Sequence, residues 1–283
     1  MRILTFDIED WFHVLDNEAS RGPTQWAAYT PRLHANMDRM LGILAEKGVK
    51  GTFFCLGWIA ERHPEVIKNI HAAGHEIAAH SYAHQLTYEQ SPEEFAKDLR
   101  RCLSVLEDLI GEKLRAYRAP GFSLTEENTW VFDILVKNGI EVDCSVFPAA
   151  RGHGGFNNFG ACEPALIECA SGRLKAFPIS VWNFLGRRLV YSGGGYFRLF
   201  PYAIIKTLVR RSDYVMTYFH PRDFDPGQPM LEGLGPVRRF KSYYGLARSE
   251  EKFRRLLDDF ELIDLRSAER LVDWENCKRI KIS

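Results

Sequence analysis

Short apolar segments of strand length alternate with segments of helical length along most of the 283-residue chain, and this alternation constrains the fold most strongly. Apolar runs of about four to eight residues between turn residues are typical of buried strands. Because strands separated by helices pair in parallel, the pattern predicts an α/β protein built from βα units. The seven predicted strands are 2–6, 51–56, 75–79, 114–118, 140–144, 213–219 and 260–265.

Helical periodicity predicts the elements that separate these strands. Ser91 is a typical N-cap residue and Pro92 suits the first helical position, so the clearest helix spans 91–110. A helical stretch is predicted between the second and third strands, with Pro64 placed to open its second half and Gly74 to end it. Further helices are predicted near 34–47, 125–138, 201–211 and 249–259.

A glycine- and aromatic-rich segment interrupts the alternation. It contains "RGHGGFNNFG" and "YSGGGYF" and is predicted to form short strands and loops. The chain has no repeat of fixed period and no low-complexity linker. We therefore expect one domain over 1–283, with an insertion at about 148–200 packed on it.

Composition excludes several classes of function. The chain is 46% hydrophobic and 13% aromatic, which suffices for a large core, and its 37 basic residues equal its 37 acidic ones. Because the chain has no excess of positive charge, we expect no nucleic-acid partner. The N-terminus lacks the apolar run of a signal peptide, and no apolar window is long enough for a membrane span. The six cysteines lack CxxC spacing, so we expect free thiols and a cytoplasmic location.

Ionisable residues follow five of the predicted strands. In a βα barrel the C-terminal strand ends face a single mouth, so these side chains are expected to converge. They are Asp7 with Glu9 and Asp10, then His80 and His84, then Arg118, Asp143 and His220. His80 and His84 are four residues apart, which on a helical turn places both on one face. The alternative is a pair of surface histidines at the beginning of a helix.

Each of these residues suits a role in metal-assisted hydrolysis. Two imidazoles and a carboxylate can hold a divalent ion that polarises a carbonyl and activates water. A second carboxylate can take a proton from that water, and a separate histidine can protonate the leaving group. An arginine beside the base can orient it through a charge-assisted pair.

The motifs "TFDIED", "HSYAH", "RAPGF" and "YFH", in this order, resemble the polysaccharide deacetylase family, also known as the NodB homology domain or carbohydrate esterase family 4. The likeness covers most of 1–147 and about 212–265. It implies a distorted (β/α)7 barrel and metal-dependent removal of N-acetyl groups from amino sugars. The segment that contains "SGGGYF" is similar to the subgroup found with bacterial exopolysaccharide and O-antigen loci.

The resemblance also implies a role for each matching residue. Asp7 would be the general base, Arg118 its orienting partner and His220 the general acid. His80 and His84 would bind the metal, and the N–H near Gly121 would donate to the oxyanion.

Three departures from the family pattern bear on these roles. The usual adjacent Asp-Asp-Gly is absent, and the next acids lie two and three residues after Asp7. Some branches of the family place the ligand acid at the second position, which favours Glu9 as the carboxylate ligand, with Asp10 the close alternative. Gly121 replaces the usual aromatic residue after R-x-P, and Phe122 follows one place later. Tyr218 stands where the family usually has leucine, which predicts a larger or more polar acyl pocket.

The sequence allows two interpretations for each of several other residues. Asp143 could hold His220 in the required tautomer or simply cap its strand, and His13 could line the mouth or pack in the core. Trp11, Phe12 and Trp182 could stack on a sugar ring or belong to the core. "SGGGYF" could form a flexible lip over substrate, although a tight turn between strands is favoured.

The sequence thus predicts a cytoplasmic N-deacetylase that acts on an amino-sugar glycan, or on its lipid- or nucleotide-linked precursor, in surface polysaccharide or lipopolysaccharide biosynthesis. Its partner is a carbohydrate substrate, with transient association at the inner membrane face. Zinc is the expected cofactor, with cobalt, nickel and manganese as alternatives. The alternative functions are a C–N hydrolase of small cyclic amides or imides and a glycan-binding protein with a lapsed site.

Overall fold

The computed structural model describes residues 1–15, 17–149, 154–184 and 187–282. For residues 184 and 187 it describes the backbone alone. None of the described helices combines the length and the apolar character needed to cross a membrane. The strands are β1 (Arg2–Ile3), β2 (Thr5–Ile8), β3 (Thr52–Cys55), β4 (Glu76–Ala79), β5 (Ala116–Tyr117), β6 (Val142–Asp143), β7 (Ala165–Cys169), β8 (Gly172–Ala176), β9 (Trp182–Phe184), β10 (Arg187–Leu189), β11 (Val215–Met216) and β12 (Lys278–Lys281).

The helices flank these strands in the order that the sequence pattern predicts, with additional short helices. They are α1 (Pro23–Trp26), α2 (Leu33–Lys47), α3 (Gly57–Arg62), α4 (Pro64–Ala72), α5 (Pro92–Ile110), α6 (Trp130–Lys137), α7 (Gly194–Leu199), α8 (Tyr202–Arg211), α9 (Pro236–Tyr243), α10 (Ser249–Asp259) and α11 (Leu265–Leu271). The predicted helix over 91–110 is confirmed, because Ser91 and Glu94 form a reciprocal capping box at its beginning.

The main sheet has eight strands in the order β12-β7-β8-β6-β5-β4-β3-β2. Neighbours from β2 to β6 pair in parallel, and β8 joins β6 in parallel. Beyond β2 the ring continues through a bridge between Phe6 and Phe219, and β1 pairs with β11. These parallel βα units confirm the predicted α/β class.

The ring is distorted between β8 and β11, where the segment that follows β8 contacts β11. Here the Met216 N–H donates to the Ser180 hydroxyl, at 2.6 Å, rather than to a strand carbonyl. A side chain thus satisfies a backbone donor where the two strands do not form a regular ladder. Inside the ring, the Arg118 guanidinium carbon lies 4.0 Å from the centre of the Phe54 ring, so the barrel is filled by side chains. The Phe6 and Phe53 rings stack at 4.7 Å between centroids on the outer face, where Phe6 also packs against Phe253 of α10.

One predicted strand is wrong. Of the segment 260–265, only Ile263 forms a strand bridge, to Ile3. The Asp264 carboxylate accepts from the Ser267 N–H and caps α11, so the chain turns into a helix where a longer strand was expected.

The segment predicted as an insertion contributes to the main sheet. Its strand β8 lies beside β6, with Val142 opposite Lys175, and β7 and β12 extend the sheet beyond it. Strands β9 and β10 form a separate antiparallel pair. The limits of the insertion stay a prediction.

The glycine run at 193–195 does not form a turn between two strands, because it leads into α7. A Cβ atom on Gly193 would lie 1.9 Å from the Tyr218 carbonyl oxygen and 2.6 Å from the Tyr218 ring. The Gly194 N–H donates to the same carbonyl at 3.0 Å. Glycine is therefore required here by the close approach of two backbones.

We expect Gly193→Ala to destabilise the fold by about 1–3 kcal/mol, because the added methyl group meets backbone atoms that cannot move aside easily. The matched control is Gly42→Ala on α2, where an added Cβ meets nothing within 4 Å. It should stabilise the fold by about 0.5–1 kcal/mol. Chemical denaturation of both variants measures the two effects, and equal stability of the two would contradict the close-approach argument.

Candidate active site

The histidines at 80 and 84 lie on a loop directly after β4. The prediction that they share a helical turn is wrong, since Ser81 and His84 have positive φ angles of 65° and 53°. The Tyr82 and Ala83 N–H groups donate to the Asp98 carboxylate of α5, which fixes this loop in place of helical hydrogen bonds. Both histidines are buried, at 1% and 6% exposure.

Glu9 meets both histidines just beyond the end of β2. Its Oε1 lies 3.3 Å from His80 Nε2 and 3.0 Å from His84 Nε2. His80 Nδ1 faces the Arg118 carbonyl oxygen at 2.8 Å, so Nδ1 carries the proton and Nε2 keeps its lone pair. His84 Nε2 is also buried, and the polar atom that it faces is Glu9 Oε1. Two nitrogens and a carboxylate in this arrangement fit a divalent metal ion.

The electrostatics of Glu9 agree with a charged ligand. Burial alone would raise the pKa of its carboxyl group. Electrostatic attraction from the His84 and His220 rings and the short contacts with His80 Nε2 and His84 Nε2 outweigh burial and bring the pKa of Glu9 well below its usual value. Glu9 is therefore ionised at neutral pH.

Asp10 points elsewhere. Its carboxylate accepts from the N–H groups of Trp11, Arg32 and Leu33 at 2.7, 2.9 and 3.1 Å. The last two donors lie at the beginning of α2, where backbone N–H groups lack helical partners. The structure thus brings Glu9 to the histidines and uses Asp10 to cap a helix.

Asp7 and Arg118 form a buried pair beside these residues. Arg118 Nη1 lies 2.6 Å from Asp7 Oδ1 and also donates to the Thr5 hydroxyl at 2.8 Å. Its Nε donates to the Cys144 carbonyl at 3.3 Å, and its guanidinium carbon lies 4.0 Å from the centre of the Phe54 ring. Held on several sides, Arg118 fixes the orientation of the Asp7 carboxylate.

His220 approaches the two carboxylates from the opposite side. Its Nε2 lies 3.9 Å from Asp7 Oδ2 and 3.7 Å from Glu9 Oε1. Its Nδ1 lies 3.0 Å from Asp223 Oδ2. Burial opposes the charged ring, but Glu9 and Asp223 raise the pKa of His220 to about 9. The imidazole is therefore protonated at neutral pH in this arrangement.

Asp143 does not hold His220, contrary to one interpretation of the sequence. Its two carboxylate oxygens accept from the Ser145 hydroxyl at 2.6 Å and from the Ser145 N–H at 3.0 Å. Burial raises the pKa of Asp143 to about 6. It caps the end of β6, which was the other interpretation.

Sequence reasoning missed Asp223 and Arg198. Asp223 lies three residues after His220 and accepts from its backbone N–H as well as facing its ring. Arg198 Nε lies 3.1 Å from Asp223 Oδ1, and Arg198 is 5% exposed. The buried Arg198 guanidinium thus holds the Asp223 carboxylate, which in turn holds the His220 ring. The three-residue spacing in "HPRD" is a signal that could have identified Asp223.

Several of these residues line a pocket of about 440 Å³: Asp7, Glu9, His84, Arg198, His220 and Asp223. Gly121 and Phe122 form part of its wall with positive φ angles of 60° and 52°, and the Phe122 ring packs edge-on against Tyr218 at 5.1 Å. His13 also lines the pocket. Trp11 and Phe12 are 5% and 1% exposed and belong to the core. Trp182 lies on β9 and is not among the described residues that line the pocket.

The chain is similar to known deacetylases over part of its length. Residues 4–142 match the polysaccharide deacetylase family, and residues 144–269 match a domain of unknown function, DUF3473. The chain is 28% identical over 117 residues to a peptidoglycan-N-acetylglucosamine deacetylase of Bacillus cereus, which covers 37% of this chain and 42% of that protein. The matched segment thus spans less than half the length of this relative.

Solved structures share the fold over nearly the whole chain. A candidate polysaccharide deacetylase from Mycobacterium smegmatis aligns with a TM-score of 0.65 at 24% identity, covering 99% of this chain and 92% of that one. A carbohydrate esterase family 4 pseudoenzyme from Bacillus anthracis aligns with a TM-score of 0.50 at 13% identity, covering 99% and 69%. These likenesses confirm the predicted distorted (β/α)7 barrel. The match over residues 4–142, which contain the motifs of Asp7, His80, His84 and Arg118, identifies this part of the chain as a polysaccharide deacetylase domain.

Proposed function

We propose that the chain is a metal-dependent hydrolase that removes an N-acetyl group from an amino sugar. One observation carries the proposal. A buried cluster of Glu9, His80 and His84 lies in the same pocket as a carboxylate held by an arginine and an imidazole held by a second carboxylate. A ligand set, a base and an acid thus occur together.

The divalent ion, when bound by Glu9, His80 and His84, supplies Lewis-acid polarisation of the acetyl carbonyl and activates water. Asp7 takes a proton from the attacking water, and Arg118 holds its carboxylate in position while leaving Oδ2 for that task. The Gly121 N–H stabilises the negative charge that develops on the carbonyl oxygen.

His220 completes the reaction by protonating the departing amine. An amine leaves a tetrahedral intermediate only after its nitrogen gains a proton. Asp223 keeps the His220 Nδ1 proton in place, so Nε2 faces the pocket as the donor. The same ring lies within 4 Å of Asp7 and Glu9, on the side where the sugar nitrogen would sit.

We further propose that the substrate is an amino-sugar glycan, or its lipid- or nucleotide-linked precursor, in bacterial surface polysaccharide biosynthesis in the cytoplasm. The resemblance to the exopolysaccharide- and O-antigen-associated subgroup supports this assignment by analogy. The six free cysteines, three of them buried, are consistent with a reducing compartment.

Mass spectrometry of acetyl loss tests the activity. The panel contains oligomeric, nucleotide-linked and lipid-linked N-acetylhexosamines, each incubated with metal-loaded protein and with protein stripped by a chelator. We expect loss of acetyl from at least one class, abolished by the chelator and restored by zinc. The proposal is contradicted if metal-loaded protein releases acetate from none of them.

The proposed ligands predict a metal-content result. We expect His84→Ala to lower bound zinc from about one equivalent to below about 0.2, because a ligand is lost from a three-residue site. The matched control is His34→Ala, since His34, His63 and Glu65 form a more exposed cluster of similar composition. Elemental analysis after dialysis measures both. Zinc that is kept by His84→Ala and lost by His34→Ala would place the ion at the surface cluster.

A further inference from the structure

His13 presents an unused hydrogen-bond donor to the pocket. The ring is 2% exposed and packs edge-on against Trp26 at 4.3 Å and Trp58 at 5.4 Å. The Asp10 N–H donates to His13 Nδ1 at 2.8 Å, so Nδ1 is an acceptor and the ring proton lies on Nε2. This Nε2 is buried and has no hydrogen-bond partner among the described residues.

The tautomer of His13 differs from that of His80, a proposed metal ligand. A neutral imidazole that binds a metal through Nε2 must carry its proton on Nδ1, as His80 does toward the Arg118 carbonyl. In His13 the arrangement is reversed. Its Nε2–H is therefore a donor for an oxygen atom, although the ring lies only 6.2 Å from that of His84.

Arg222 presents a second unused donor. Its Nε donates to Gln228 Oε1 at 3.0 Å, and its guanidinium carbon lies 5.7 Å from the centre of the Tyr243 ring. Its Nη2 is buried and has no hydrogen-bond partner among the described residues, and the side chain lines the same pocket. A buried donor left unpaired destabilises the protein, and a bound acceptor would remove that penalty.

The charges of the pocket favour an anionic acceptor. Each acidic residue that lines it already faces a basic group: Asp7 faces Arg118, Asp223 faces Arg198 and His220, and Glu9 also faces His220. Arg222 also lines the pocket and keeps an unpaired N–H group, and the exposed Lys241 adds positive charge at the pocket rim. An oxyanion would satisfy both the unpaired donors and this excess of positive charge.

We propose that His13 and Arg222 form an anion-binding subsite for a phosphate or carboxylate group carried by the amino sugar. The substrate would then be an acidic sugar derivative, such as a glycosyl phosphate, rather than a neutral chitin-like oligomer. This inference rests on the proposed deacetylase function, because it takes the pocket to be the site that binds the amino sugar. Its test uses ligand binding, so that it is separable from the test for acetyl loss.

Calorimetry with zinc-loaded protein compares three ligands that share the same amine: glucosamine 1-phosphate, methyl glucosaminide, which has no anionic group, and a disaccharide of glucosamine and glucuronate. We expect a ligand with an anionic group to bind about 10–100-fold more tightly than methyl glucosaminide, since charge-assisted hydrogen bonds are the stronger kind. Preference for the first or third ligand assigns the anion as phosphate or carboxylate. Equal affinity for all three overturns the subsite and leaves the deacetylase proposal to its own test.

Variants locate the subsite. We expect Arg222→Gln to weaken binding of the preferred anionic ligand about 10–100-fold, and Arg222→Lys to keep part of the affinity. His13→Phe keeps the ring volume but removes the donor, and should weaken binding about 3–10-fold. The control is Arg239→Gln, an exposed arginine on α9 outside the pocket lining, which removes the same charge.

The melting temperature and zinc content of each variant establish whether its fold and metal site are intact. If Arg222→Gln misfolds, binding by Arg222→Lys is measured in its place. The subsite is overturned if Arg222 and His13 variants that pass these checks bind the anionic ligand as the wild type does. A loss in Arg239→Gln as large as in Arg222→Gln also overturns it, because the effect would then come from overall charge.

Discussion

Asp7→Asn is expected to lower kcat by at least about 100-fold while the protein keeps its metal. Asparagine has nearly the same shape and still accepts from Arg118, but its amide cannot take a proton from water. The proposed ligands are Glu9, His80 and His84, so the metal site should be unaffected. Turnover measured beside zinc content gives both quantities. Loss of zinc together with activity would make Asp7 a ligand, and full activity would remove it from the mechanism.

The neighbouring acids provide the controls. Glu9→Gln should lose zinc and activity together, because it replaces the proposed carboxylate ligand. Asp10→Asn should keep zinc but destabilise the fold by about 1 kcal/mol, because Asp10 caps α2 through the Arg32 and Leu33 N–H groups. Zinc loss in Asp10→Asn with retention in Glu9→Gln would reverse the assignment of the ligand.

The order of strands and helices could be predicted because burial imposes a period on the sequence. The strand ends were therefore located well enough to predict that Asp7, His80, Arg118 and His220 meet at one mouth. The helix α9 could not be found in this way. None of its residues is buried, so the chain carries no apolar stripe against the core there.

The choice between adjacent acids could not be made from spacing. Glu9 and Asp10 follow β2 where the chain leaves the sheet, so strand alternation no longer fixes their directions. The direction depends on contacts distant in sequence: Asp10 turns toward α2, and Glu9 turns toward the loop after β4. The His13 tautomer likewise depends on a turn in which the His13 N–H donates to the Asp10 carbonyl at 3.1 Å.

Strand-end position likewise could not show that Asp223, rather than Asp143, contacts His220. Strand-end position made Asp143 a candidate, but a carboxylate at a strand end can equally satisfy the next backbone N–H, as it does at Ser145. Asp223 belongs to a short helical turn after the last strand of the mouth, Pro221–Phe224. Its partner Arg198 comes from α7, 25 residues earlier, a pairing that no local pattern indicates.

His220→Ala is expected to lower kcat for an N-acetyl sugar by about 10²–10⁴-fold, with nearly normal zinc content. The reason is the leaving group: an amine departs only when its nitrogen is protonated, and His220 is the imidazole that lines the pocket beside Asp7 Oδ2, while Arg118 holds Asp7 Oδ1. An acetate ester with a good leaving group needs less protonation. The variant should therefore recover part of its activity on such an ester.

The pH profile gives a second measure of the same role. In the metal-free arrangement Glu9 and Asp223 raise the pKa of His220 to about 9. A bound cation offsets the Glu9 charge, so the alkaline limb of kcat should lie below pH 9, with activity falling as the pH rises and the ring loses its proton. Asp223→Asn removes the other carboxylate and should move this limb to still lower pH. Equal damage by His220→Ala on amide and ester, with an unmoved limb in Asp223→Asn, would mean that His220 supports the fold and does not donate the proton.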